Sequence, residues 1–300
     1  MLEKLRPRRF GAALATVALT LGTIGVNAAT AHAGPNPEQL PEVLQKFENC
    51  PVQNPDVTSC YYIETSSAVM TAGSFSGIST TEPMILQFGG IADTQNQRTI
   101  TVAPTNGVTA LQSPKLRLPG GLTHMPWADG WPLSAYITPE NVGLPQLNLS
   151  NLTTSGDAPV LTMNIKARVH NPFTDVLSSL GDGCYIGSDS SPIRLELTTG
   201  TTDPKPPNEP ISGTPGEFDF SDIGKGVIMI KGQTVVDNTW GLPHADGCGA
   251  IPYVGDSLNW AVDLDAGQAN AGPGHNSVEM DTTVYQANAD SVREAMGMAT

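Results

Sequence analysis

The chain has 300 residues, a formal net charge of −14 and a sequence pI near 4.6. Nucleic acid and anionic lipid head groups repel a surface this acidic, so neither is an expected partner. Its 31 Gly and 25 Pro are many, but 39% of the residues are hydrophobic, too many for a disordered chain, and the Gly and Pro read as turn punctuation.

At the N-terminus, Lys4, Arg6, Arg8 and Arg9 precede an apolar run from Gly11 to Val26, and Ala31-His32-Ala33 places small residues where a signal peptidase reads. This order predicts a secretory signal over residues 1–33, cleaved before Gly34. The run is rich in Ala, Thr and Gly and falls short of the ~20 apolar residues of a spanning helix, which argues against an uncleaved anchor. The expected product is secreted or extracellular, or associated with the cell envelope, with no transmembrane segment after cleavage. It keeps 267 residues; the removed part holds four basic side chains and Glu3, so the net charge becomes −17. That length supports one large β domain or two smaller ones.

Residues 34–60 form a Pro-rich segment with one short helix predicted over Pro41–Glu48, and residues 61–300 read as a β domain. If that domain is two, the boundary falls near 107–158. Four cysteines in an exported chain imply two disulfides, with three connectivities open. Cys50 and Cys60 enclose Pro51, Asn54 and Pro55 and suit a local loop, which leaves Cys184 with Cys248. Loop-closure entropy gives about 3 kcal/mol for the short link and about 4 kcal/mol for the long one. A zinc site fits poorly, because no pair has close ligand spacing.

Strands are predicted over Ile78–Phe88 and Arg98–Ala103, then a loop-like stretch over Gly107–Asn151 that contains Trp127 and Trp131. The clearest strand is Val160–His170, where Leu161, Met163, Ile165, Ala167 and Val169 alternate with polar residues. His170 continues the polar series, so solvent exposure is expected for it. Ile193, Leu195 and Leu197 repeat the pattern after the stretch DGCYIGSDSSPI (182–193), read as turn chemistry ahead of a strand. Shorter strands are expected at Phe218, Val227–Lys231 and Thr234–Val236, an extended loop at Asp203–Pro210, and a helix over about Ala287–Met298. The expected fold is all-β: a sandwich or barrel-like domain with long Gly/Pro-rich loops, a short C-terminal helix and two disulfides.

No chemical constellation stands out. The nearest match to a nucleophile elbow, Gly73-Ser74-Phe75-Ser76-Gly77, puts Phe75 where the serine must be. In an oxidising compartment Cys184 is better explained as half a cystine than as a nucleophile. The 28 acidic residues left after cleavage allow a glycosidase carboxylate pair, whose separation a sequence does not reveal. Asp263-Leu264-Asp265-Ala266-Gly267 resembles the start of a calcium loop, but Gly stands fifth and no Glu twelfth. His124, Trp127 and Trp131 are a candidate sugar platform, with packing under a long loop as the simpler reading. Asn148-Leu149-Ser150 and Asn151-Leu152-Thr153 are glycosylation sequons only in a glycosylating host.

The string CYIGSDSSPIRLELTTGTT, a Pro-rich stretch with PISG, then VVDN, Gly247-Cys248-Gly249 and HNSVEM resemble a family of exported actinobacterial proteins. The resemblance covers about Val160 to Met298. That family carries no assigned reaction, cofactor or catalytic residue, so the resemblance transfers none; it implies a Gram-positive host and supports Cys184 and Cys248 as partners. The expected function is therefore a non-enzymatic binding or structural module of the exterior or envelope, with no metal and no cofactor. Its partner is undetermined, with an envelope component or carbohydrate as the candidate class. The alternatives are a hydrolase built from distant loops, with His124 or His244 beside Asp129 or Asp246, and an envelope pore or adhesin subunit.

Overall fold

The alternation over Val160–His170 is realised in the computed structural model as a strand, Leu161–His170, with Leu161, Met163, Ile165, Ala167 and Val169 all buried. The structure describes residues 40–93, 98–121, 130, 133–148, 151–156, 158–171, 183–246 and 276–298. The chain divides between Ala33 and Gly34, and every described residue belongs to Gly34–Thr300.

Two antiparallel sheets make a sandwich-like, mainly β fold. The first, eight-stranded, contains β1 (Ser59–Ala72), β2 (Phe75–Ser79), β3 (Met84–Asp93), β4 (Arg98–Val102) and β5 (Leu111–Gln112). Later in the chain β12 (Glu217–Asp219), β13 (Val227–Asp237) and β15 (Asn276–Asn288) complete it, in the order β12-β13-β15-β1-β3-β4, with β2 on β1 and β5 on β3. The seven-stranded second sheet holds β6 (Leu116–Leu118), β7 (Ala135–Asn141), β8 (Gln146–Leu147) and β9 (Leu161–His170). It also holds β10 (Tyr185–Ile186), β11 (Ile193–Leu197) and β14 (Ala245–Asp246), ordered β14-β10-β9-β7-β6, with β8 and β11 also paired to β9. Helices are short: α1 (Glu42–Gln45) and α2 (Ala289–Ala295). No helix among the described residues is long and apolar enough to cross a membrane.

One hydrophobic cluster fills the space between the sheets, drawing Ile63, Phe88 and Val284 from the first and Ile137, Ile165 and Leu195 from the second. It includes a cavity of about 60 Å³, which at about 24 cal/mol per Å³ costs on the order of 1.5 kcal/mol of stability if dry. The period of two sends the alternate residues of β1 the other way. Tyr61 and Ile63 enter this core, while Cys60 joins a second cluster with Leu44, Phe47, Val227, Met229 and Val292.

That second cluster anchors the N-terminal segment. Cys50 and Cys60 are disulfide-bonded, with Cα atoms 5.8 Å apart, as their spacing predicts. Arg293 of α2, 8% exposed, reaches into the enclosed loop. Its Nε donates to the Val52 carbonyl at 2.9 Å, and its Nη2 to Asn54 and Val57 at 2.9 and 2.8 Å. Asp290 accepts from its Nη1 at 2.6 Å. The disulfide loop is thereby tied to the far end of the chain.

Several elements depart from their expected bounds. Predicted Ile78–Phe88 is two strands, because Thr80–Pro83 turns between β2 and β3. Val227–Lys231 and Thr234–Val236 are one strand, β13, interrupted by a register shift between Ile230 and Gln233 where Gly232 takes φ +70°. The loop-like stretch over Gly107–Asn151 carries β5 to β8. The C-terminal helix begins at Ala289, because Ala287 and Asn288 still pair with Cys60 and Ser59 of β1. There the Asn288 side chain caps it by accepting from the Asp290 N–H at 2.8 Å. The predicted helix over Pro41–Glu48 shortens to α1. Cys184 is buried and is not a free thiol, while its expected partner Cys248 lies outside the described residues.

Replacing Arg293 with Met strips three carbonyls of a charged donor. The Arg293→Met variant is expected to lose about 3 kcal/mol in urea unfolding. Arg293→Lys recovers less than half of that loss, since an ammonium cannot reproduce the guanidinium fork.

Candidate functional site

The strand β11 projects Ile193, Leu195 and Leu197 into the core and Arg194 and Glu196 outward. β11 borders β9 on one side only, so the backbone groups of its other side need partners. They find them on the opposite sheet. Just past β11, Thr198 and Val236 of β13 exchange both backbone hydrogen bonds, at 3.0 and 2.9 Å. Thr201 bridges to Ser212 and Thr214 to Thr234, so the chain from 198 to 214 stitches one edge of the sandwich closed. Gly213 is required in this stitch: a Cβ there would collide with the carbonyl oxygens of Thr234 and Thr198.

Beside Thr198, the carboxylate of Asp237 performs the same task with a side chain. Asp237 closes β13 and is 0% exposed. Its Oδ2 accepts from the Glu196 N–H at 2.6 Å, and its Oδ1 accepts from the Thr239 N–H and Oγ1, both at 2.8 Å. Burial pushes its pKa above the usual carboxylate value, the three hydrogen bonds pull it back, and the neighbouring Glu196 carboxylate adds to the rise.

Over this floor lies a polar cleft with two adjoining lobes of about 540 and 420 Å³. Glu196, Asp203 and Thr239 line both lobes. The first adds Thr198, Thr201 and Thr202; the second adds Arg194 and Lys205, with Pro192 and Pro243 as apolar edges. Several of these groups are held in place. Thr198 Oγ1 donates to the Gly156 carbonyl at 3.1 Å and accepts from the Gly200 N–H at 3.0 Å. Arg194 Nε donates to Glu196 Oε1 at 2.8 Å, so one ion pair spans the outer face of β11. The loop that supplies Asp203 and Lys205 is fixed by reciprocal contacts: Asn208 Nδ2 donates to the Asn238 carbonyl and Asn238 Nδ2 to the Glu209 carbonyl, both at 2.8 Å. No family model, curated protein or solved structure matches this chain.

The stretch 182–193 borders the cleft and does structural work among its described residues. The Cys184 carbonyl accepts from the Val169 N–H at 2.9 Å, and Asp189 pairs with Lys166 of β9 at 2.9 Å. Gly187 takes φ +80°, where a Cβ would press on Pro243 and the Ser191 carbonyl, and Ser188 Oγ accepts from the Ser191 N–H at 3.1 Å. Phe75 of the failed elbow motif is a fully buried core residue.

His170 overturns its expectation. It is buried, 8% exposed, with Nε2 at 3.0 Å from Thr138 Oγ1, because the end of β9 is covered by its β7 neighbour. His244 is exposed beside β14. His124, Trp127, Asp129, Trp131, His275 and the Asp263–Gly267 segment lie outside the described residues, as does the side chain of Asp246. Among the described residues no cluster of three or more His, Cys, Asp or Glu side chains is placed to hold a metal. Asn151 of the second sequon turns its Nδ2, the atom a glycan would occupy, toward the Ala158 and Pro159 carbonyls at 3.3 and 3.4 Å.

Nothing in the string VVDN marks Asp237 as part of the site. A carboxylate that serves distant backbone N–H groups leaves no local pattern. Asp237→Asn puts an NH₂ or a single oxygen where two sets of donors converge, and is expected to cost about 2 kcal/mol in urea unfolding. In the parent protein the folded pKa of Asp237 is raised above 3.8. Its contribution to stability therefore declines as pH rises from that value through the folded one, and the variant loses that slope.

Proposed function

We propose that the exported chain is a β-sandwich module that binds a polyhydroxylated ligand, a carbohydrate of the cell envelope, in the cleft over Asp237, without catalysing a reaction. The observation that carries this reading is the cleft's mixture of groups. Sugar hydroxyls each donate one hydrogen bond and accept two. Glu196, Asp203 and the exposed Thr201 and Thr239 oxygens accept, Arg194 and Lys205 donate, and Pro192 and Pro243 offer edges for the C–H faces of a sugar ring. The anchored floor supports binding without large ordering costs. Export rests on the signal over residues 1–33, and the resemblance to exported actinobacterial proteins over Val160–Met298 is consistent with it.

A second reading, a glycoside hydrolase, is favoured by one observation: Glu196 and Asp203 line the same lobe, and most glycosidases use two carboxylates. Turnover separates the two readings. With a panel of neutral oligosaccharides in titration calorimetry, the binding reading expects saturable 1:1 binding without product on chromatography. Asp203→Ala and Glu196→Ala each weaken it at least tenfold at unchanged melting temperature. Hydrolysis that Glu196→Gln abolishes would replace the proposal with the second reading, and the absence of any saturable ligand would end both.

The covalent part of the proposal is checked on protein from the culture medium. Mass spectrometry is expected to find an N-terminus at Gly34 and, in unreduced digests, a peptide pair linked by Cys184 and Cys248. A free thiol at Cys248 contradicts that pairing.

A further inference from the structure

Phe218, Phe220 and Ile223 follow one another closely in the chain and are 52%, 54% and 53% exposed. β12 is an edge strand, and Phe218 stands opposite Ile230 of β13. Directly opposed residues share a face of a sheet, and Ile230 belongs to the core between the sheets. Phe218 therefore prolongs the inner face of the first sheet to a point where it is left half uncovered. Phe220 stacks on it, with ring centroids 5.6 Å apart and planes 18° from parallel. Asp219 lies on the other face of β12 and pins the strand to β13 through Lys231 Nζ at 2.6 Å. Gly216 brings the same backbone close to β13, where a Cβ would strike Ile230. The two rings are thus presented on an anchored strand.

The size of this patch limits what can cover it. Phenylalanine side chains bury 150–250 Å² each when fully covered, so two half-exposed rings and Ile223 leave roughly 300 Å² uncovered. A stable protein interface takes about 800 Å² from each partner, and a net charge of −14 sets a second copy of the chain against the first. A pyranose ring is smaller, and its apolar C–H face suits the electron-rich face of an aromatic ring. The turn that carries Ile223 also carries the Asp222–Lys225 ion pair at 2.7 Å, so polar groups for sugar hydroxyls border the apolar surface. The patch and the cleft lie along the same edge of β13, since Thr198 of the cleft pairs with Val236 and Phe218 with Ile230. From Ile230 to Val236 that edge advances roughly 20 Å at ~3.3 Å per residue, the length of about four pyranose rings. Between the two points, Ser212 Oγ meets Thr201 Oγ1 of the cleft at 2.8 Å, and Thr214 is exposed beside its partner Thr234.

We propose that the ligand is a linear polysaccharide, held at one point in the cleft and at a second, about four rings further along the β13 edge, by the stacked Phe218–Phe220 pair. This rests on the carbohydrate reading of the cleft and adds to it a chain length and a second contact. Once the cleft holds one part of a chain, the next rings meet the aromatic pair at high effective concentration, so a weak second contact raises the affinity of long chains alone.

The test is titration calorimetry of the purified protein with neutral glucan, xylan and mannan oligosaccharides graded in length from about two to about eight rings. In the series that binds, chains long enough to reach both points are expected to bind about tenfold more tightly than short ones. Phe218→Ala and Phe220→Ala, at exposed positions, each remove most of that gain and leave short chains bound as in the parent, whereas Glu196→Ala weakens chains of every length. Affinity that stays flat with length, or long chains bound equally well by the phenylalanine variants, would overturn this proposal; short-chain binding that Glu196→Ala weakens would then leave the cleft reading standing. No saturable binding at any length overturns both. A dimer of the parent in sedimentation velocity that Phe218→Ala dissolves would also overturn the proposal, by assigning the patch to a second copy of the chain.

Discussion

The hydrogen bond from the Glu196 N–H to Asp237 Oδ2, 2.6 Å long, joins the two sheets beneath the cleft. β11 carries one unsheeted side, and an edge of that kind invites a foreign strand. Asp237 closes the edge with a charge instead, beside the Thr198–Val236 bridge. The same carboxylate fixes Thr239 in the loop after β13, so two residues of the cleft, one on β11 and one past the end of β13, are set by one buried group. Burying a carboxylate is costly and is tolerated only where N–H and O–H donors surround it. The cleft is therefore a consequence of how the sandwich is closed.

The opposite end of the molecule follows a parallel logic. β1 and β15, near the two ends of the folded unit, pair from Ser59–Asn288 through Ala72–Asn276. Contacts between residues so distant in sequence carry a large closure entropy. Two devices act at the Ser59–Asn288 end of this pairing: the Cys50–Cys60 link restricts the unfolded N-terminal segment, and Arg293 clasps the loop from α2. Disulfide, buried arginine and apolar cluster all act on the same few residues.

What was legible in the sequence follows from which residues share a face. β9 and β11 were visible because each turns only aliphatic or alanine side chains, and one methionine, inward. β1 was hidden by its own bulge: Tyr61, Ile63 and Thr65 face the core, and the register shift between Thr65 and Ser67 moves the inward series to Ala68, Met70 and Ala72. β15 was hidden by polarity, since Asn276 and Thr282 occupy inward positions otherwise held by Val278, Met280 and Val284. Those polar residues have local reasons, Asn276 donating to the Trp240 carbonyl and Thr282 accepting from Gln233. The cleft's strings, TTGTT, DPKPP and VVDN, were readable as text, but their convergence was not. Asp237 lies 41 residues from Glu196, and the partner is a backbone N–H, which every residue except proline possesses.

A floor built this way predicts rigidity in the cleft and coupling between one ionisation and one amide. The direct measurement is a ¹³C-detected pH titration of the Asp237 carboxyl, recorded with the Glu196 amide proton. A carboxyl midpoint above 3.8, with the Glu196 amide moving at the same midpoint, is the predicted result. A Glu196 amide indifferent to the titration would contradict the claim that this buried carboxylate holds the two sheets together under the cleft.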